Sequence, residues 1–161
     1  MLFDTHAHYD DEAFDPDREL LLESLPQRGV ALVLNPGCDL DSSRKAVSYA
    51  AAYPHVYAAV GIHPENCAGF VPADIDVLRE LARQPKVAAI GEIGLDSVWC
   101  DVPAADQRPA FIRQLDIARE MGKRVLLHTK GCEEEIARLV SEGRVPCVVH
   151  WYSCMEHLER Y

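Results

Sequence analysis

Short apolar runs alternate with amphipathic segments along the chain. The apolar runs are rich in β-branched residues and predict six strands, over residues 2–8, 30–35, 56–62, 87–93, 124–129 and 147–151. Strands separated by helices run parallel, and parallel sheets are covered on both faces, which explains why these runs are almost entirely apolar. We therefore expect an α/β fold of six βα units, with parallel strands in the sequential order 1-2-3-4-5-6 and helices outside.

Two of the intervening helices carry start and stop signals. Asp15, followed by a proline, predicts the N-cap of the first helix, and Gly29 lies just past its end. A later helix is predicted over residues 106–121, with Asp106 as its N-cap and Gly122 as its terminator. Both segments present apolar residues at helical spacing, so we expect them to pack against the sheet.

The composition favours a single globular domain over residues 1–161, because 48% of the side chains are hydrophobic and 26% are charged. A net charge of −10 disfavours long-range attraction to nucleic acid or to an anionic membrane, so any phosphate contact must be local. Apolar runs fall short of the roughly 20 residues of a membrane span. The six cysteines lack C-x-x-C spacing and are read as reduced thiols. We expect a cytoplasmic protein.

Polar side chains interrupt several of the predicted strands near their carboxyl ends: His6, His8, Glu92, His128 and His150. A buried charged or imidazole group is costly unless it is paired or bound to a metal ion. The carboxyl ends of barrel strands meet at a common mouth. We therefore expect these five side chains to converge around one cavity.

The segment "DTHAH" places Asp4, His6 and His8 at alternate positions, so that the three side chains point to one face of an extended strand. Two imidazoles at this spacing can hold one divalent cation, with Asp4 orienting a ligand. H-x-H alone is weak evidence for a metal site, because histidines also form satisfied contacts in protein cores. The carboxylate and the two further histidines at other strand ends favour a shared metal site.

Several motifs follow one another in a characteristic order: "DTHAH" (4–8), "GIHP" (61–64), "IGEIGLD" (90–96), "Q-x3-F-x2-QL-x-IA" (107–118), "LLH" (126–128) and "VVHWYS" (148–153). This set resembles the TatD-type metal-dependent hydrolases over the whole chain. The resemblance implies a TIM-type (β/α)8 barrel and a centre of two divalent metal ions. It also implies hydrolase activity, which in some members is that of a deoxyribonuclease.

By this resemblance, His6 and His8 would hold one metal ion, Glu92 would bridge both, and His128 and His150 would hold the other. Two cations about 3.5–4 Å apart can lower the pKa of a shared water and hold the anionic oxygens of a phosphodiester. Imidazole and carboxylate ligands leave Zn, Mg and Mn all open as the metal. DNA is the expected substrate, and Glu92 is expected to take part in catalysis.

Four further features have both a functional and an ordinary interpretation. His63, after the third strand, is a candidate catalytic residue and phosphate contact, or packs at the strand end. Asp96 is a candidate catalytic residue that orients a ligand histidine, or caps a loop. Lys130 binds phosphate as a point charge, or is a solvated loop lysine. Trp99, together with the pair Trp151 and Tyr152, stacks bases at the rim, or packs under a loop.

The chain also departs from the family pattern. Ser97 and Val98 follow "GLD", where relatives tend to have two aromatics. A (β/α)8 barrel needs about 250 residues, so six βα units form an incomplete barrel, and we expect a domain truncated after its sixth strand. The last metal ligand of the family, an aspartate after the eighth strand, has no counterpart. Open sheet edges are expected to promote self-association.

Three functions remain open at this point. The leading one is a metal-dependent deoxyribonuclease. The second is a hydrolase of carbonyl esters or amides, because the same metal centre can direct water at a carbonyl carbon. The third is a non-catalytic partial barrel that acts as a binding or assembly module.

Overall fold

A computed structural model describes residues 1–154 and 156–161 of the chain. Its sheet consists of six strands: β1 (Leu2–Asp4), β2 (Val30–Pro36), β3 (Val56–Val60), β4 (Val87–Asp96), β5 (Arg124–Lys130) and β6 (Cys147–Val149). Every neighbouring pair is parallel, and the order is β1-β2-β3-β4-β5-β6. The predicted α/β class, direction and order of the strands are confirmed, and the sheet is an incomplete TIM-type barrel.

Five α-helices connect the strands: α1 (Arg18–Ser24), α2 (Leu40–Ala52), α3 (Pro72–Ala82), α4 (Ala104–Glu120) and α5 (Glu133–Gly143). Short 3₁₀ turns lie at Glu12–Phe14, Pro26–Arg28, Pro64–Asn66 and Leu158–Arg160. The described helices include none that is long and apolar enough to cross a membrane. The six cysteines are unpaired, as expected.

The predicted N-caps of the first and fourth helices are wrong by two or three residues. Asp11 accepts a hydrogen bond from the N–H of Ala13 and starts a separate 3₁₀ turn, so Asp15 ends that turn and Asp17 precedes α1. α4 begins directly after Pro103, which places Asp106 in its first turn instead of at its cap. Gly122 lies just past the end of α4 with a positive φ angle of 62°, as predicted. Gly29, with a φ angle of 90°, instead ends the 3₁₀ turn that follows α1.

The two edge strands are shorter than predicted. β1 ends at Asp4 because the carboxylate of Asp4 accepts a hydrogen bond from the N–H of His6, 3.1 Å away, and the chain leaves the sheet there. At the other edge β6 ends at Val149, and His150 follows it with its N–H donated to the carbonyl of Leu127. Asp4 therefore fixes the backbone beside the candidate ligands instead of orienting an imidazole.

Three apolar clusters of buried residues form around the sheet. The largest lies between the strands and the helices, and includes Phe111 and Leu127, which are fully or almost fully buried. A second includes Leu22 of α1. The third consists of strand residues, among them Leu34 and Leu126. Burial on both faces of the central strands is what the continuous apolar runs predict. The extent of the domain, and its truncation after the sixth strand, stay predictions.

Two buried glutamines of α4 tie this helix to the ends of the central strands. Gln114 accepts a hydrogen bond from the N–H of Ile62 and donates one to its carbonyl, at 2.7 and 3.1 Å. Gln107 pairs in the same way with the backbone of Asp96, at 2.9 Å for both bonds. Both amides satisfy backbone groups that lie beyond the strand ladder, so they fix the segments that carry the candidate site.

Candidate metal centre

Glu92 lies buried at the middle of a cluster of imidazoles on the carboxyl edge of the sheet. One of its oxygens, Oε2, is 3.1 Å from Nε2 of His6 and 3.6 Å from Nε2 of His8. The other, Oε1, is 3.3 Å from Nδ1 of His128. Each oxygen thus faces a different set of nitrogens, and the carboxylate stands between two groups of ligand atoms.

The backbone of β4 directs Glu92 into this position. The register of β4 with β5 shifts between Ile90 and Ile93. This irregularity in the strand includes Glu92. A Cβ atom at Gly91 would lie 2.6 Å from Cβ of Leu126, which only glycine avoids. The N–H of Glu92 donates to the carbonyl of Gly37 at 2.9 Å and anchors the residue to the loop after β2.

The first group of ligand atoms, which we call the edge group, is formed by His6, His8 and Glu92. Its candidate ligand atoms all lie within 4.8 Å of one another, and the two Nε2 atoms are 2.9 Å apart. The buried amide of Asn35 holds the loop behind it by accepting from the N–H of Tyr9 and donating to Asp10. Sequence reasoning missed Asn35, although it ends a predicted strand as the other polar site residues do.

The second group, which we call the central group, is formed by His63, Glu92 and His128. Its ligand atoms also lie within 4.8 Å of one another, and the two imidazole rings meet edge to face with centroids 4.4 Å apart. His63 is buried, and its Nδ1 accepts a hydrogen bond from the N–H of Glu65. The sequence had suggested a substrate contact for His63, and the structure brings it among the potential metal ligands.

His150 lies beside the edge group. Its ring stacks on that of His6, with centroids 3.4 Å apart and planes 13° from parallel. The resemblance pairs His150 with His128, whereas in the described residues neither group of potential ligands includes His150. Its role as a ligand stays a prediction.

Asp96 contacts both the central group and the loop after β4. Its Oδ2 accepts a hydrogen bond from Nε2 of His128 at 2.7 Å, while the other nitrogen of that ring faces Glu92. Its Oδ1 accepts from the N–H groups of Val98 and Trp99 at 2.7 and 2.8 Å. Asp96 therefore makes both kinds of contact considered above: it orients His128 and it caps the loop after β4.

The electrostatics of the cluster follow from burial and from the central carboxylate. Burial raises the pKa of the Glu92 carboxyl, but hydrogen bonds from His128, His6 and His8 outweigh it and hold the pKa well below its usual range. Burial lowers the pKa of His128, and Glu92 and Asp96 more than reverse this effect, so that its pKa is raised. Burial lowers the pKa of His63 to about 4. The His63 ring is therefore neutral at physiological pH, as a metal ligand must be.

The residues present suit a divalent cation. The Nε2 atoms of His6 and His8 face each other and the same carboxylate oxygen, so several lone pairs point into one small space. Buried Nδ1 of His6 has no hydrogen-bond partner among the described residues. Nitrogen and oxygen donors of this kind suit Zn and Mn, and carboxylate oxygen also suits Mg. The cluster can therefore be a metal site, as the sequence predicts for its strand-end side chains.

Lys130 is only 6% exposed, so its interpretation as a solvated loop lysine is wrong. Its ammonium lies over the rings of Trp99 and Trp151, with Nζ 4.5 and 4.7 Å from the two centroids. Nζ also donates to Oγ of Ser153 at 3.0 Å. The lysine is packed into a small aromatic cluster next to the central group.

A parallel α/β sheet with imidazoles and carboxylates gathered at the carboxyl ends of its strands defines a barrel-type metal-site protein. The model of the TatD-related DNases matches residues 3–160, and the chain belongs to this family.

Known proteins of the same family align with most of the chain. It is 32% identical to the metal-dependent hydrolase YabD of Bacillus subtilis, over 88% of this chain and 56% of that protein. It is also 32% identical to the 3'-5' ssDNA/RNA exonuclease TatD of Salmonella typhimurium, over 86% of this chain and 54% of that protein. The crystal structure of YjjV, a TatD homologue from Escherichia coli, superposes with a TM-score of 0.90 at 29% identity, over 99% of this chain and 63% of that one. The chain thus spans somewhat more than half the length of these relatives.

Proposed function

We propose that this chain carries the metal centre of a divalent-metal-dependent phosphodiesterase of the deoxyribonuclease type. The observation that carries this proposal is the position of Glu92, whose two oxygens face two separate groups of ligand atoms. A carboxylate in this position can join two cations a few ångströms apart, which is the arrangement used in many phosphodiester hydrolases. The name of the TatD relative as an exonuclease on single-stranded DNA and RNA supports the substrate class.

Each side chain of the cluster has a distinct task in this proposal. His6 and His8 would hold one cation and His63 and His128 the other, and Glu92 would be shared by both. Bound cations lower the pKa of water and offset the negative charge of the phosphodiester oxygens. Buried Glu92 keeps its carboxylate ionised, because the surrounding imidazoles lower its pKa despite burial.

Asp96 is a positioning residue in this proposal, and it acts through His128. Its hydrogen bond to Nε2 fixes the imidazole so that Nδ1 points at the centre. A carboxylate behind a ligand histidine sets the ring orientation and increases its basicity. His63 completes the central group with a neutral ring, since burial lowers its pKa to about 4. His150 would support the edge group by stacking on the ring of His6.

The acidic surface of the chain shapes how the substrate would be held. With a net charge of −10, the chain repels a polyanion at long range, so binding depends on the cations and on local positive groups. Lys130 is such a group, because its buried ammonium lies on the strand that carries His128. We therefore expect substrate binding to depend on the divalent metal.

The proposal is tested by assaying the metal-loaded chain on a labelled single-stranded oligodeoxynucleotide and, in parallel, on an aminoacyl ester. Hydrolysis of the oligonucleotide that disappears in Glu92→Gln, and persists in the matched surface variant Glu120→Gln, is the expected result. Hydrolysis of the ester alone would favour a carbonyl hydrolase. Metal uptake with hydrolysis of neither substrate would favour a non-catalytic binding or assembly module.

We also propose that the chain self-associates through its open sheet edges. Phe3 on β1 and Val148 on β6 are 54% and 43% exposed, which places apolar surface on the two outermost strands. Unpaired backbone and apolar side chains at an edge promote pairing with another chain. Sedimentation velocity checks this, and Phe3→Lys should shift the distribution of sedimentation coefficients toward the monomer. An unchanged distribution would mean that the sheet edge is not the contact.

A further inference from the structure

Both tryptophans of the chain lie in one exposed cluster beside the central group. The indole rings of Trp99 and Trp151 are 5.5 Å apart between centroids, at an angle of 45°. They remain 53% and 66% exposed, so the interpretation that they pack under a loop does not describe them. Two large aromatic faces open to solvent are costly unless they serve binding.

The ammonium of Lys130 lies between these rings without a carboxylate partner. Its hydrogen bonds go to Oγ of Ser153 and, at 3.4 Å, to the carbonyl of Trp151. Within residues 1–154 and 156–161, no carboxylate oxygen lies within 4.0 Å of Nζ. A buried positive charge that is balanced only by neutral groups is a favourable place for an anion.

The cluster is connected to the metal centre through the backbone. Lys130 follows His128 by two residues on β5, so both side chains leave the same face of the strand. Trp151 directly follows His150, and the N–H of Trp99 donates to Asp96, whose other oxygen contacts His128. A ligand held by this cluster would therefore adjoin the central group.

We propose that Trp99, Trp151 and Lys130 form a nucleotide subsite next to the metal centre. An unpaired nucleobase stacks on the exposed indole faces, and the Lys130 ammonium contacts the phosphate attached to it. Stacking suits any base, because every base presents a π-face, whereas a lysine recognises phosphate as a point charge. The inference rests on the proposed nuclease function and assigns to this cluster the positioning of the nucleotide beside the scissile bond.

Intrinsic fluorescence reports this cluster alone, because the chain contains no third tryptophan. With a divalent metal bound, the whole chain is titrated with a single-stranded tetranucleotide and with an abasic backbone of the same length, both built with hydrolysis-resistant phosphorothioate linkages. We expect the base-bearing strand to quench the fluorescence and the abasic strand to leave it nearly unchanged. Equal quenching by both strands, or none at concentrations where anisotropy of a labelled strand reports binding, would overturn the stacking role.

Replacing either indole tests the subsite more directly. Trp99→Leu and Trp151→Leu should each weaken binding of the base-bearing strand by about 5- to 150-fold, because loss of one base–aromatic stack has that effect. Binding of the abasic strand should not change, and the Phe variants should retain most of the affinity. Leu20→Ala removes an exposed apolar side chain of α1 as the matched control. An equal loss for both strands would mean a structural role.

The salt dependence of binding tests the lysine. Lys130→Met should reduce the slope of log K against log salt by about 0.7, the value for one phosphate of a single strand. Lys130→Arg keeps the charge and should keep the slope, and Lys130→Gln replaces the methionine variant if that one does not fold. An unchanged slope in a folded, uncharged variant would remove Lys130 from the subsite.

These measurements separate the subsite from the proposed function. Metal-dependent hydrolysis of oligonucleotides without any preference for base-bearing strands would overturn the subsite and leave the nuclease function intact. Base-dependent quenching by a chain that hydrolyses no oligonucleotide with Mg²⁺, Mn²⁺ or Zn²⁺ would support the subsite and contradict the nuclease function.

Discussion

The centre and the edges of the sheet support the candidate site in different ways. β4 has ten residues and β5 has seven, and apolar side chains such as Ile93 and Leu127 on them are fully buried. β1 and β6 have three residues each, and Phe3 and Val148 on them are 54% and 43% exposed. Backbone paired on both sides holds a side chain more firmly than backbone paired on one side.

The candidate ligands also fall into a set on the central strands and a set beside an edge strand. Glu92 and His128 stand on the long central strands, where Asp96 fixes the second of them through a hydrogen bond. His6 and His8 follow the short first strand, and their loop depends on side-chain hydrogen bonds such as those of Asn35. The central group is therefore organised by the sheet itself, whereas the edge group is organised by a loop.

The largest effect should come from the residue that belongs to both groups. Glu92→Gln should lower hydrolysis on the order of 10³-fold, since it removes the shared ligand charge and several kcal/mol of transition-state stabilisation. His6→Ala should abolish the edge group and leave the central group able to bind one cation. Equilibrium dialysis counts the bound metal in each variant. Two cations retained by Glu92→Gln would contradict its shared position.

Core packing should show the next largest difference. Leu127→Ala on the central β5 should cost about 2–5 kcal/mol of unfolding free energy, because a fully buried leucine leaves a cavity. Phe3→Ala on the edge should cost about 1 kcal/mol or less, since its side chain is half exposed and buries little area. Urea denaturation followed by circular dichroism measures both. Comparable losses would mean that the edge is packed as firmly as the centre.

Two carboxylates, one beside each group, test how the ligand histidines are held in place. Asp96→Asn should weaken metal binding at the central group about 10- to 100-fold, as loss of a carboxylate behind a ligand histidine typically does. Asp10→Asn should have a much smaller effect, because its oxygen is 3.9 Å from Nδ1 of His8, beyond a hydrogen bond. Isothermal titration with Zn²⁺ compares them. A larger loss from Asp10→Asn would reverse the comparison.

The smallest effect concerns the helix that covers β3. Asp39 caps α2 by accepting from the N–H of Ser42 at 2.7 Å, so Asp39→Ala should cost about 1 kcal/mol at pH 7. Burial raises the pKa of Asp39, but the hydrogen bonds from Ser42 have the larger combined effect in the opposite direction. The pKa of Asp39 therefore lies below its ordinary value of 3.8. The stabilisation is therefore complete above that ordinary value and is lost as the pH falls through the lower folded pKa.

Thermal denaturation of the two chains between pH 2 and pH 7 checks this dependence. The difference between the wild-type chain and Asp39→Ala should stay constant down to about pH 4 and then shrink. Asp41→Ala, in the same helical turn but paired only with Arg44 on the surface, is the control and should change stability by less than about 0.5 kcal/mol. A difference that grows on acidification would contradict the sign.

Periodicity predicted the centre of the molecule better than its edges. The long apolar runs identify β2 to β5, and the strand-end position of Glu92 and His128 follows from them. The predicted first strand is too long, because a hydrogen bond from the N–H of His6 to the side chain of Asp4 ends it. Such a bond does not change the pattern of apolar and polar residues, so this pattern cannot predict it.

The contacts of the site residues that the sequence does not predict have a common physical cause. His63 joins a potential ligand group and Lys130 is buried, and both outcomes depend on which neighbours the topology supplies. The two tryptophans that surround Lys130 come from the loop after β4 and from the residue after His150, far apart in the sequence. Spacing along one segment cannot report such contacts between segments.

The carboxylate of Asp96 limits how this protein can be redesigned. One oxygen fixes the loop that bears Trp99, and the other fixes the ring of His128. An insertion that moves the backbone at Val98 would therefore disturb the imidazole of the proposed metal centre as well as the surface proposed to bind the nucleotide. Changes of specificity at this rim are best sought by replacing side chains while keeping the length of the loop, so that the two functions can be tuned separately.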